Sequence, residues 1–174
     1  MILDNLSLFY LIFGLSNKNN FLDFLMILGA EYVIYLALIL IFIIAFRGGL
    51  IERKSLILAL LSLPLVVIII KLIHLFYVEP RPFIDSNISP LITHQADASF
   101  PSRHASIMSA LTFPYIFLKS KWATLLIFLT IWVGISRIYV GVHYPSDILG
   151  GILVGFVSAV TAKKIAALLR AKLF

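Results

Sequence analysis

Long apolar runs, separated by short clusters of polar and basic residues, organise this chain. A helix needs about 20 mostly apolar residues to cross the hydrocarbon of a bilayer. Residues 24–46 form one such run, interrupted only by Glu31 and closed by Arg47. Residues 55–77 form a second, which carries Pro64, Lys71 and His74. Three shorter runs follow at about 102–118, 122–137 and 147–162. They reach spanning length only when polar residues at one end are counted, which places those ends against a wet cavity rather than lipid. Residues 6–15 are too few to span and precede Ser16-Asn17-Lys18-Asn19-Asn20, a pattern that predicts a helix lying in the interface. The expectation is an all-α, polytopic membrane helix bundle of five spans, or six if the N-terminal segment also crosses. Gly151 and Gly155 predict a helix-packing seam, and Pro64 and Pro114 predict kinks. No repeat, low-complexity stretch or linker divides the sequence, so residues 1–174 read as one domain.

Composition sharpens the picture. The chain is 61% apolar and 13% charged, where an ordinary soluble domain is about half apolar and about a quarter charged. A soluble core of this length could not hide that excess, and a disordered tail would need the opposite balance. A net charge of +6 in a soluble protein would suggest nucleic acid. Here the basic residues sit at the ends of apolar runs, so the partner is the lipid bilayer and no nucleic acid is expected. The absence of cysteine removes disulfides, thiolate nucleophiles and Cys-based metal sites. Met1-Ile2-Leu3-Asp4 offers no basic n-region, and no cleaved signal peptide is predicted.

Charge also sets a direction. Arg47, Arg53, Lys54, Lys119, Lys121, Lys163, Lys164, Arg170 and Lys172 fall on one side of the predicted spans. Lys18, Arg81, Arg103 and Arg137 fall on the other. By the positive-inside rule the larger set marks the cytoplasm, and the loops around 78–101 and 138–146 face outward.

This topology gathers chemistry on the outer face. The second span ends at His74, then Pro80-Arg81-Pro82; the third begins Pro101-Ser102-Arg103-His104. The fourth ends at Ser136-Arg137, and the fifth opens with His143-Tyr144-Pro145-Ser146-Asp147. Three guanidiniums in one pocket repel a metal cation and suit a phosphate, which Arg grips through paired hydrogen bonds. Pro101 is a natural first helical residue, leaving Ser102, Arg103 and His104 to present free backbone N–H groups to an anion. Asp147, four residues beyond His143, can hold the imidazole N–H and leave the other nitrogen free to attack. His104 is then available as a general acid.

These residues carry a resemblance to the type-2 phosphatidic acid phosphatase superfamily, the membrane relatives of vanadium haloperoxidases. That family shows Lys, six residues, Arg-Pro; then Pro-Ser-Gly-His; then Ser-Arg, five residues, His, three residues, Asp. Ser136-Arg137, His143 and Asp147 fit the third motif, and Arg81-Pro82 fits the end of the first. His74 stands where the family usually has Lys, and Arg103 where it usually has Gly. The resemblance covers roughly residues 71–155. It implies a nucleophilic His143 that forms a phosphohistidine, an orienting Asp147, a proton-transferring His104, and phosphate contacts from Arg81, Arg137 and Ser102. It implies no metal and no organic cofactor. His74 would be a pH-dependent phosphate contact, with Lys71 one turn deeper as its substitute, and Arg103 would suit a second phosphate. The implied substrate is a membrane lipid with a phosphate or diphosphate headgroup. The run 92–105 is similar to the matching stretch of bacterial undecaprenyl-diphosphate phosphatases of the bacitracin-resistance type, with lipid A 1-phosphatases and phosphatidylglycerophosphate or phosphatidate phosphatases as alternatives.

Other readings compete. A His/Asp pair at this spacing also binds zinc, but adjacent arginines oppose it and no third strong ligand is evident. His94 and Asp97 read as loop hydrogen-bonding groups rather than catalysts. Glu31 reads equally as a functional group or a structural contact. Glu31, Lys71 and His74 at depth give some basis for an ion or proton transporter; the one-sided distribution of polar groups argues against it. The sequence leaves the oligomeric state open.

Overall fold

A computed structural model describes residues 4–86 and 88–172, with side chains through residue 169. Met1-Ile2-Leu3 of the signal-peptide expectation, and the side chains of Arg170 and Lys172 in the basic tail, lie outside the described residues. The chain is all-α, with eight helices among the described residues: α1 (Asn5–Phe13), α2 (Asn20–Glu31), α3 (Val33–Arg47), α4 (Leu50–His74), α5 (Pro82–Asp85), α6 (Arg103–Phe117), α7 (Ala123–Tyr139) and α8 (Pro145–Lys172).

Four of the helix starts have a local cause. The Asp4 carboxylate accepts from Ser7 N at 2.8 Å and opens α1. Asn19 Oδ1 accepts from the backbone N–H of Phe21 and Leu22, both at 3.0 Å, and opens α2. Glu52 reaches back to Gly49 N at 3.0 Å at the start of α4. Pro145 supplies the first residue of α8.

The run at 24–46, expected as one rod, is two. Helices α2 and α3 meet at Tyr32 with a bend of 58°. A continuous helix would give the Ala30 carbonyl to the N–H of residue 34; here it accepts from Arg137 Nη1 at 3.2 Å. A side chain entering the helical ladder is a recognised cause of a kink. The break therefore sits where the helix meets the polar end of α7. Helices α4 and α6 instead continue through Pro64 and Pro114.

By length and composition α4 and α8 can each cross a bilayer, and α2 with α3 makes a third span if the bent pair is one crossing. Helix α6 has 15 residues, about 22 Å at the usual rise, and α7 has 17. The start of α6 and the end of α7 are polar and buried: Ser102, Ser136 and Arg137 are each 2% exposed or less. Helix α1 lies against the bundle along one face. Phe9 is fully buried among Ala105, Ile138, Tyr144 and Ile148, while Leu6, Tyr10 and Leu11 stay exposed. Asn5 ties it to Ser146 at the head of α8, with bonds of 2.8 and 3.0 Å.

The expected glycine seam joins α6 to α8. A Cβ on Gly151 would come within 2.7 Å of the Ser102 carbonyl oxygen and 2.8 Å of Ala105 Cβ. One on Gly155 would meet Ser106 O at 2.6 Å and Ala110 N at 2.7 Å. Only the absence of side chains lets the two backbones approach so closely.

Candidate active site

Four chain segments bring one polar cluster together at the ends of α6, α7 and α8. Gly141, at φ +85°, turns the chain out of α7, in a backbone region that side chains disfavour. His143 and Tyr144 follow, and α8 begins at Pro145. Asp147 thus lands in the first turn of α8, fully buried beneath the His143 ring. Its backbone carbonyl accepts from Ser102 N at 3.0 Å, which ties the head of α6 to that of α8.

The hydrogen bonds fix the imidazole. His143 Nδ1 lies 3.2 Å from Asp147 Oδ2. The same oxygen accepts from Tyr144 N at 2.8 Å and from the Ser99 hydroxyl. On the other side of the ring, Arg81 Nη1 lies 3.1 Å from Nε2. A guanidinium only donates, so Nε2 accepts with its lone pair and the ring proton is on Nδ1, facing Asp147. That lone pair is the one that faces the cations. Burial, with Arg137 and Arg81 nearby, holds His143 well below its ordinary pKa, so the ring is neutral at neutral pH.

Arg81 is 1% exposed and occupies all its reach. Nη1 also donates to Val142 O at 2.8 Å, Nη2 to Ala98 O at 3.4 Å, and Nε to Asp97 Oδ1 at 2.9 Å. Asp97 in turn accepts from Arg103. Burial raises Asp97, but Arg81 and Arg103 outweigh it and hold the carboxyl below its usual range.

Arg137 is 2% exposed, and among the described residues no carboxylate pairs with it. Its Nε and Nη2, together with Ser102 Oγ, are buried donors without a hydrogen-bond partner in the described residues. Leaving charged donors unmet in a protein interior is costly. Charged and hydroxyl donors of this kind are suited to an oxyanion. Arg137, His104 and His94 line a cavity of about 350 Å³ whose other wall is Glu31, Tyr32 and Tyr35, at the bend between α2 and α3.

Most of the sequence-predicted residues meet here: Arg81, Ser102, Arg103, His104, Arg137, His143 and Asp147. Two do not join them. His74 Nε2 bonds the Phe100 carbonyl at 3.1 Å and buttresses the segment leading into α6. Lys71 is exposed on α4. Sequence reasoning passed over Ser99, which holds Asp147, and set aside Asp97 and His94 as loop residues. The His94 ring lies 6.5 Å from that of His143. The signal for all three was their closeness in sequence to Ser102 and His104, which a loop reading discounts.

A sequence model of the PAP2 superfamily matches residues 55–170. The chain is 37% identical over 153 residues to undecaprenyl-diphosphatase BcrC of Bacillus subtilis, covering 88% of this chain and 79% of that protein. A lipid A 1-phosphatase of Rhizobium johnstonii is 35% identical over 69 residues, 40% of this chain and 28% of that relative. The crystal structure of Aquifex aeolicus LpxE matches with a TM-score of 0.69 at 26% identity, covering 94% of this chain and 99% of that one.

Proposed function

The chain belongs to the PAP2 superfamily, and from that premise we propose that it is a metal-independent membrane lipid phosphatase converting undecaprenyl diphosphate to undecaprenyl phosphate. The identity to the Bacillus subtilis undecaprenyl-diphosphatase over most of both chains supports this substrate. The observation that carries the chemistry is the His143 imidazole, held through Nδ1 by Asp147 while Nε2 turns its lone pair toward Arg81.

In this reading the terminal phosphate settles among Arg81, Arg137 and Ser102, and the Arg81 guanidinium passes from the imidazole to phosphate oxygens. Nε2 attacks phosphorus as the bond to the bridging oxygen breaks. His104 gives that oxygen its proton, and the lipid monophosphate leaves. Water then attacks the phosphohistidine, His104 takes a proton from it, and inorganic phosphate departs with His143 restored. Preorganised guanidiniums and backbone N–H groups stabilise the charge on the transferring phosphoryl group. The bilayer holds five spans, counting the bent α2–α3 pair as one, with α1 at the interface. Basic residues mark the cytoplasmic side and the site faces outward. The isoprenoid tail leaves the cavity past Tyr32 and Tyr35, both exposed at the bend.

The similarity to a lipid A 1-phosphatase over 69 residues supports a second reading, with lipid A as the phosphate donor. Phosphate release from purified undecaprenyl diphosphate and lipid A, in detergent with a chelator, separates the two. Rapid turnover of the first, abolished in His143→Ala, is expected. Rapid turnover of lipid A with negligible turnover of undecaprenyl diphosphate would reject the substrate choice, and full activity in His143→Ala would reject the mechanism.

A further inference from the structure

We propose that the Asp97 carboxylate stands in for the second phosphate of a lipid diphosphate, seated between Arg81 and Arg103 until substrate displaces it. Arg103 then forms a second anion subsite beside the one that takes the reacting phosphorus. The inference rests on the diphosphate reading above and adds the device that selects for the second phosphate.

One carboxylate bridges two guanidiniums with separate oxygens. Oδ1 accepts from Arg81 Nε at 2.9 Å, and Oδ2 accepts from Arg103 Nη2. Such a bridge is the arrangement a phosphate oxyanion would adopt between the same two arginines. Arg81 belongs to both seats, since its Nη1 lies 3.1 Å from the nucleophilic His143 Nε2 while its Nε holds Asp97. Two anion seats that share one guanidinium are neighbours, as the two phosphates of a diphosphate are.

The members differ in how readily they exchange. Arg81 keeps its bonds to Val142 O and Ala98 O when Asp97 leaves, so the reacting seat stays formed. The Asp97 side chain is 35% exposed and that of Arg103 52%. Among the described residues Arg103 makes no other ion pair. The bridge can therefore open into solvent at its Arg103 end, while the buried Arg81 Nε that Asp97 releases is met by the incoming phosphate. A lipid monophosphate gains only the inner seat. A diphosphate fills both, and its greater charge outcompetes the single carboxylate. Asp97 is thus a positioning residue in the resting state and a competitor for the outer seat.

The full-length protein in detergent provides the test, with inorganic pyrophosphate and inorganic phosphate as competitors against whichever lipid phosphate the wild type hydrolyses. The wild type should bind pyrophosphate more tightly than phosphate. Arg103→Gln should lose that preference by about tenfold, the size of one charged hydrogen bond. Asp97→Asn should tighten pyrophosphate inhibition about three- to tenfold while kcat falls, and Asp97→Glu should restore both. The combined Asp97→Asn/Arg103→Gln protein should show no tightening. An equal loss of affinity for both anions in Asp97→Asn would overturn the proposal, because a merely structural role predicts it. So would an undiminished pyrophosphate preference in Arg103→Gln, whose folding a thermal melt beside the wild type checks; the position is half exposed. A wild type confined to lipid monophosphates would reject the diphosphate substrate, and the pyrophosphate comparison would still judge the subsite.

Discussion

His143 is asked to be neutral, oriented and surrounded by cations at once. Its hydrogen bonds make those demands compatible. Asp147 and Ser99 secure the Nδ1 side, and burial with Arg137 and Arg81 resists protonation of the ring. The sign for pH dependence follows. A depressed imidazole pKa means the proposed nucleophile stays unprotonated below the ordinary histidine range, so the acidic limb of kcat/KM should lie below about pH 6.5. Removing a neighbouring cation makes protonation easier. Arg81→Gln should therefore move that limb to higher pH as well as lower activity, which a pH–rate profile of both proteins would reveal. An acidic limb unmoved in Arg81→Gln would mean that another group sets it. At this scale the sequence was readable wherever a motif had fixed spacing, as His143 and Asp147 did. Asp97 and Ser99 were obscured because their partners lie far off in sequence: Arg81 by 16 residues and Asp147 by 48. His74 read as a phosphate group because position along a helix does not reveal that a backbone carbonyl, that of Phe100, takes its ring nitrogen.

Helices α6 and α8 carry His104 and Asp147 respectively, and the glycine seam sets the distance between them. A side chain at Gly151 meets the Ser102 backbone, which cannot swing aside as a flexible side chain would. Gly151→Leu should cost about 1–3 kcal/mol of stability through overpacking and lower activity more than stability accounts for, because Ser102 and Asp147 are joined across the seam. Thermal unfolding in detergent alongside kcat would measure both; wild-type kcat would show that the spacing is not critical. Apolar length located the helices well, and the small residues located the seam. The bend at Tyr32 was illegible, since residues 24–46 contain no proline and the cause, Arg137 reaching Ala30, is a tertiary contact. Helices α4 and α6 hold Pro64 and Pro114 in their interiors and do not end there.

For the whole molecule the question is which end of the bundle meets which solution. The natural absence of cysteine makes single-cysteine labelling clean. Lys18→Cys should react with a membrane-impermeant maleimide added to intact cells, and Lys121→Cys only after permeabilisation; both positions are exposed. The reverse pattern would turn the site toward the cytoplasm and contradict the positive-inside assignment. In the proposed mechanism phosphorus passes through the Nε2 of one buried histidine. Rapid quenching of the protein with terminally labelled lipid diphosphate, followed by peptide mapping under alkaline conditions, tests it directly. The account predicts an acid-labile phosphoryl group on His143 that accumulates in His104→Ala, where water is no longer activated. Label on a different residue, or lipid hydrolysis with no phosphoprotein at any time point, would contradict it.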